Sequence, residues 1–152
     1  MALAKARAVA RDLSRAGRGP AVVLGADTEV VLDGRLLGKP SGPPDAVRML
    51  RALRGREHEV ITGLAVVEID DPSAALREET TSVTSRVRMA DYTDTEIEAY
   101  VATGEPLDKA GAYAVQGIGG RLIAAVDGCF TNVVGLPLTT TRALLERRGL
   151  LA

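Results

Sequence analysis

The sequence predicts an α/β fold, and three observations carry that expectation. Segments of helical period alternate with strand-like segments, turn or stop residues separate most of them, and two long strand-like stretches, Glu57 to Asp70 and Leu76 to Met89, flank the turn Asp71-Pro72-Ser73. Long strands paired in this way make a curved sheet the expected centre of the molecule. At 152 residues the chain fits a single domain, 1–152, able to bury a core without disulfides or a structural metal.

Each element has a local reason. Ala2 to Ala16 places Leu3, Ala6, Ala10 and Leu13 at helical spacing, and Gly17 stops the run. Ala21 to Gly25 reads as a short buried strand, which leaves Asp27 where that strand ends. Asp33-Gly34, between Glu29–Leu32 and Arg35–Leu37, is a strong hairpin signal. After Pro43-Pro44, the stretch Asp45 to Arg54 lines up Ala46, Met49, Leu50 and Leu53 on one helical face, with Gly55 as the stop. Leu76 to Met89 alternates as an antiparallel strand with one wet face does. Thr93 and Glu96 form a capping box that opens a helix closed by Gly104. Glu105 to Gly120 has the Gly-rich, mixed composition of a functional loop. Arg121 to Val126 reads as a strand and Pro137 to Arg148 as the last helix.

Composition narrows the function classes. Apolar residues make up 46% and charged residues 26%, the balance of a globular protein, and no apolar run approaches the length of a membrane span. The formal charge of −1 excludes a general basic field for nucleic acid, so an anionic ligand must meet a local cluster. Cys129 is the single cysteine, which rules out an internal disulfide, and no signal peptide is read at Met1. A cytoplasmic protein with no membrane or nucleic-acid partner is the expectation, with homodimer formation left open.

Several familiar sites are missing: there is no phosphate-binding Gly-x-x-x-x-Gly-Lys-Ser/Thr loop, no paired cysteine motif and no His-Glu-x-x-His helix. The lone histidine, His58, falls inside a strand and reads as a sheet residue rather than a catalyst. Gln116-Gly117-Ile118-Gly119-Gly120 precedes a strand instead of opening a helix, so it reads as a loop and not a dinucleotide fingerprint. Only Lys5, Lys39 and Lys109 among 19 basic residues are lysines, and on composition alone they read as surface solubilisers. The informative pieces are Asp27 after a buried strand and Lys39 returned towards it by the hairpin. A carboxylate there can take a proton from water or hold a divalent cation, and an ammonium can neutralise a phosphate.

Taken in order, Ala4-Lys5-Ala6, Gly25-Ala26-Asp27-Thr28, Gly38-Lys39-Pro40, Gly55 to Gly63 (Gly-Arg-Glu-His-Glu-Val-Ile-Thr-Gly), Gly104 to Tyr113, Gln116-Gly117 and Asn132 to Pro137 resemble the Maf family across nearly the whole chain. All three lysines fall inside these motifs, which overturns the solubiliser reading. The resemblance implies a fold similar to inosine triphosphate pyrophosphatases: two α/β lobes around a cleft, with a long curved mixed sheet whose crossing strand is Glu57 to Asp70. It implies Asp27 as catalytic base and metal ligand, and Lys5, Thr28, Lys39, Glu105, Lys109 and Gln116 as substrate-binding residues. Thr28 directly after the aspartate, together with Gln116, resembles the branch acting on dTTP and UTP, whereas a Gln at that position resembles the 7-methyl-GTP branch.

The chemistry so implied is metal-assisted hydrolysis of a nucleoside triphosphate to a monophosphate and pyrophosphate, with Mg²⁺ or Mn²⁺ as cofactor and clearance of aberrant nucleotides as a role. Members of the family begin with a strand and a loop reading roughly Ser-x-Ser-Pro-Arg-Arg. The chain opens instead inside the helix carrying Lys5, so an N-terminally truncated form is expected. Two other readings stand beside this one: a catalytically weak nucleotide-binding protein of cell division, and an unrelated phosphatase that releases inorganic phosphate.

Overall fold

The computed structural model describes residues 1–73 and 75–151. The chain forms α1 (Ala2–Arg15), β1 (Ala21–Leu32), β2 (Arg35–Leu37), α2 (Pro43–Leu53), β3 (Glu57–Ile69), β4 (Arg77–Met89), α3 (Asp94–Ala102), β5 (Ile123–Asp127), α4 (Phe130–Val134) and α5 (Leu138–Glu146), with three 3₁₀ turns between α3 and β5. The strands make one five-stranded antiparallel sheet in the order β2-β1-β3-β4-β5. The α/β class is the expected one; the mixture of strand directions is replaced by an antiparallel arrangement. The close β1–β2 pair shows why at one edge, since a two-residue hairpin can only reverse the chain. No helix of the described residues is long and apolar enough to cross a membrane.

The chain divides into two compact units, the first made of Met1–Asp27, Thr62–Val83 and the segment from Gly135 on, the second of Thr28–Ile61 and Thr84–Val134. Strands β1, β3 and β4 each contribute residues to both.

In the first unit the strands are apolar on both faces, and the period-2 alternation of a strand sorts their side chains. Ala21 and Val23 of β1 with Ala65, Val67 and Ile69 of β3 pack under α1, whose Ala2, Ala6 and Ala10 form the other side of that cluster. Val22, Leu24 and Ala26 with Leu64 and Val66 pack instead with Leu144 of α5. The small alanine stripe of α1 permits close approach. A Cβ added at Gly25 would lie 2.6 Å from the Ala2 carbonyl oxygen and 3.0 Å from the Ala6 Cβ. Gly25 is therefore a packing position inside β1 and not its end. Strand β1 runs unbroken through Asp27, which corrects the expectation that the strand stops there. Beyond α5, Arg148, only 12% exposed at its side chain, bonds Glu68 of β3 and Glu79 of β4, each at 2.6 Å.

In the second unit a single core gathers Val30 and Leu32, the α2 stripe Ala46, Met49, Leu50 and Leu53, and Ile97, Tyr100 and Val101 of α3. The hairpin forms as expected: Asp33 (φ 51°) and Gly34 (φ 74°) are both left-handed, and Leu32 pairs with Arg35. Helix α3 carries the expected capping box, with Glu96 N donating to Thr93 Oγ1 and Thr93 N donating to the Glu96 carboxylate. Tyr92 donates its hydroxyl to the Leu50 carbonyl at 2.7 Å, while Arg51 and Arg54 of α2 both reach Asp94 at 2.9 Å. Later in the chain, β5 starts at Ile123 after a 3₁₀ turn over Ile118–Leu122, and the short helix α4 stands where the sequence reading has none.

Candidate active site

The residues singled out in the sequence fall into two groups, and Glu105 joins neither. The first group is Lys5 and Asp27, both in the first unit. Alternation along β1 puts Gly25 and Asp27 on the side facing α1, and Lys5 lies one turn beyond Met1 on that helix. The Lys5 ammonium donates directly to Asp27 Oδ1, with the lysine side chain 57% and the aspartate 21% exposed. A largely solvated cation is thus held against a carboxylate that is mostly shielded, an arrangement able to meet a phosphate chain and a water molecule together.

The second group lies in the second unit around a cavity of about 310 Å³. Thr28 and Val30 of β1, Lys39, Val60 of β3, Lys109, Tyr113 and Gln116 line it, and Val133 and Val134 of α4 form a further wall. This volume is at the small end of ligand sites, and its lining, mostly apolar with a few polar groups, is the usual composition of such sites. Four residues named from sequence, Thr28, Lys39, Lys109 and Gln116, thus come from three segments of the chain to line one cavity. The wall has identifiable supports. Gly111 N donates to the Gly38 carbonyl at 3.1 Å, tying the segment before Lys39 to the loop of Lys109. Gly111 adopts φ 71°, and a Cβ there would meet Val30 Cγ1 at 3.0 Å, so glycine is needed both for conformation and for space. Lys109 Nζ bonds its neighbour Asp108 at 2.6 Å, and that bond holds the Asp108 carboxyl below its ordinary range.

Two residues support the wall without being among the site residues expected from sequence. Asn132, fully buried on α4, donates Nδ2 to the Val60 carbonyl and to Ser85 Oγ, each at 3.0 Å. Ser85 Oγ also accepts from Cys129 N and donates to the Cys129 carbonyl, both at 3.0 Å, so α4 and its two wall valines are fastened to β3 and β4. The signal available was Asn132 inside an otherwise apolar run. The other support is His58, buried in β3, whose Nε2 lies 2.7 Å from the hydroxyl of the wall residue Tyr113. Desolvation pushes the His58 pKa down to about 4, so the imidazole is neutral at ordinary pH. Burial pushes the Tyr113 phenol up.

Glu105 is not among the cavity-lining residues. Its carboxylate accepts from the Tyr100 hydroxyl and from the amides of Ile118 and Gly119, each at 3.1 Å. Burial alone would raise its pKa; the two amides and the hydroxyl outweigh that and hold it below the ordinary value.

Among the described residues no three His, Cys, Asp or Glu side chains cluster as a metal site. Asp27 supplies a single carboxylate. Such a donor set fits a hard ion like Mg²⁺, which is commonly held by one or two carboxylates and completed by substrate phosphates and water.

A strand-borne carboxylate with a lysine partner, and a small cavity lined by two further lysines and a glutamine, are groups able to meet a phosphorylated small molecule. The chain belongs to the Maf-like protein family, whose profile matches residues 1–148. It is similar to proteins named dTTP/UTP pyrophosphatase: at 46% identity to that of Dictyoglomus thermophilum over 148 residues, covering 97% of this chain and 72% of the relative. Identity is 54% to that of Moorella thermoacetica over 149 residues, covering 98% and 72%. With that of Anaeromyxobacter dehalogenans it is 55% over 141 residues, covering 93% and 71%.

Proposed function

We propose that this chain is a nucleoside triphosphate pyrophosphatase that cuts dTTP or UTP between the α and β phosphates, giving a nucleoside monophosphate and pyrophosphate. The observation that carries the reading is the convergence of Thr28, Lys39, Lys109 and Gln116 on one small cavity. The relatives' shared name supports the same activity and substrate class.

Thr28 and Gln116 present a hydroxyl and an amide, neutral donors and acceptors able to hydrogen-bond a base edge, and the relatives' shared name supports a pyrimidine there. Lys39 and Lys109 bring positive charge to the same wall and offset charge that builds on the phosphate oxygens. Asp27, one residue before Thr28 on β1, accepts the proton of the attacking water. Lys5, already bonded to Asp27, orients that carboxylate and brings a further cation beside it. A divalent ion at Asp27, Mg²⁺ or Mn²⁺, would neutralise phosphate charge when bound.

Product analysis tests the reading. The protein incubated with dTTP and UTP in Mg²⁺ or Mn²⁺ is expected to yield pyrophosphate and the monophosphate. Release of orthophosphate, or binding without turnover, would overturn it.

A further inference from the structure

The carboxylate of Glu105 is committed to three uncharged donors, one from α3 and two from the turn that follows the loop. Those bonds close a loop that starts at Glu105 and returns at Ile118 and Gly119. Lys109, Tyr113 and Gln116, three residues of the cavity wall, lie between the two anchors. The closure is tight. Gly117 adopts φ 89°, and a Cβ there would sit 3.0 Å from both Glu105 carboxylate oxygens. A Cβ on Gly119 would collide with the Tyr100 hydroxyl and with the Ala114 carbonyl oxygen, the latter at 2.7 Å. The Tyr100 hydroxyl, besides donating to Glu105, accepts from Ala114 N at 3.3 Å, so α3 grips the same loop at a second point. Gln116 therefore has its backbone held between Ala114, gripped by Tyr100, and Gly117, pressed on Glu105.

We propose that Glu105 is a positioning residue for base recognition: acting through the Gly117–Gly119 turn, with Tyr100 as a second fastening, it fixes the side chain of Gln116 and so sets the preference for pyrimidine nucleotides. The proposal rests on the pyrimidine reading of Gln116 given above. Glu105 is not among the residues that line the cavity, so in this role it acts through the turn. A full carboxylate is suited to this duty because its two oxygens accept from three donors at once, and amides bonded to a charged acceptor are held more strongly than to a neutral one.

The test compares wild type with Glu105→Gln, which keeps the size but turns one acceptor into a donor facing an N–H, and with Tyr100→Phe, which keeps the carboxylate and removes one fastening. Amide hydrogen exchange, turnover of dTTP and dGTP, and calorimetric binding of dTMP are measured on each. In Glu105→Gln, exchange at Ile118 and Gly119 is expected to accelerate, KM for dTTP to rise about tenfold with kcat little changed, and the dTTP to dGTP ratio of kcat/KM to fall towards one. Tyr100→Phe should move each reading the same way by less. Accelerated exchange with an unchanged selectivity ratio would overturn the proposal, because the brace would then be structural only. An equal loss of kcat on both nucleotides, or no change in any reading, would overturn it as well. If wild type releases no pyrophosphate, the enzymatic reading fails on its own. The positioning role is then decided by dTMP: weaker binding by Glu105→Gln upholds it, and equal or absent binding in both proteins overturns it.

Discussion

The His58 imidazole and the Tyr113 phenol form a buried pair, with Nε2 2.7 Å from the hydroxyl and the rings edge to face at 80°. The pair stands behind the cavity wall, and it makes folding pH-dependent. The folded pKa of His58 is about 4 against an ordinary 6.5, so between these values the unfolded chain binds a proton that the folded chain refuses. Stability attributable to His58 is thus complete above about pH 6.5 and is lost as pH falls towards 4, by about 3 kcal/mol in all. Denaturant titrations at several pH values should show this slope in wild type and a shallower one in His58→Gln. Carboxylates that are bonded in the fold, such as Asp94 and Glu105, also lose stability as pH falls, but they do so in both proteins and cancel in the difference. Parallel curves for the two proteins would sink the idea.

Asn132 gives a sharper stability prediction. Its Nδ2 is the donor to both Val60 O and Ser85 Oγ in a fully buried setting. Truncation leaves a buried carbonyl short of a partner and opens a void under α4. Asn132→Ala should therefore cost about 2–4 kcal/mol in chemical denaturation. A loss under about 1 kcal/mol would mean that α4 is held by other contacts.

Much of the second unit was legible because its signals are local. Asp33-Gly34 fixes a hairpin through two left-handed residues, Ala46, Met49, Leu50 and Leu53 mark one helical face, and Thr93 with Glu96 caps α3, all by rules that act within a few residues. Asp27 was misplaced at a strand end for the opposite reason. Gly25 reads locally as a stop, while its actual role is to admit the Ala2 carbonyl of a helix far away in sequence. Helix α4 was invisible because Phe130–Val134 is short and rich in β-branched residues. It is stabilised by Asn132 reaching β3 and β4, which no periodicity records. The bonds from Glu105 to the amides of Ile118 and Gly119 are equally invisible in the sequence, because backbone N–H groups leave no signature there.

Gly25 itself carries the next prediction. In Gly25→Ala the new methyl must displace the Ala2 carbonyl or push α1 away from β1, since neither backbone can rotate aside. Overpacking of this kind costs about 1–3 kcal/mol. Because Lys5 rides on α1 and Asp27 on β1, pyrophosphate release should fall by more than stability loss alone explains at a temperature where the variant remains folded. Wild-type turnover in a correctly folded Gly25→Ala would show that the Lys5–Asp27 contact is not needed.

Substrate choice tests the cavity. Thr28 and Gln116 on one wall predict that dTTP and UTP are turned over faster than purine triphosphates. A panel measured by pyrophosphate release checks this, and a clear preference for 7-methyl-GTP would remove the reading of Thr28. Exchanging Thr28 for Val, which keeps the shape but removes the hydroxyl, should narrow the gap between pyrimidines and purines while leaving the fold intact.

Asp27→Asn separates catalysis from binding. Asn matches Asp in shape, but its amide neither takes a proton from water at neutral pH nor ligates a hard cation well. The Asp27 side chain is 21% exposed and its Lys5 partner 57% exposed, so an isosteric exchange at this contact should change folding little. Removing a general base typically costs about 10² to 10⁴-fold in rate, and weaker metal binding adds to that. The variant should lose nearly all pyrophosphate release while dTMP still binds, since Thr28, Lys39, Lys109 and Gln116 are untouched. Turnover above about a tenth of wild type would remove Asp27 from the role of base, because that loss falls short of what one such group supplies.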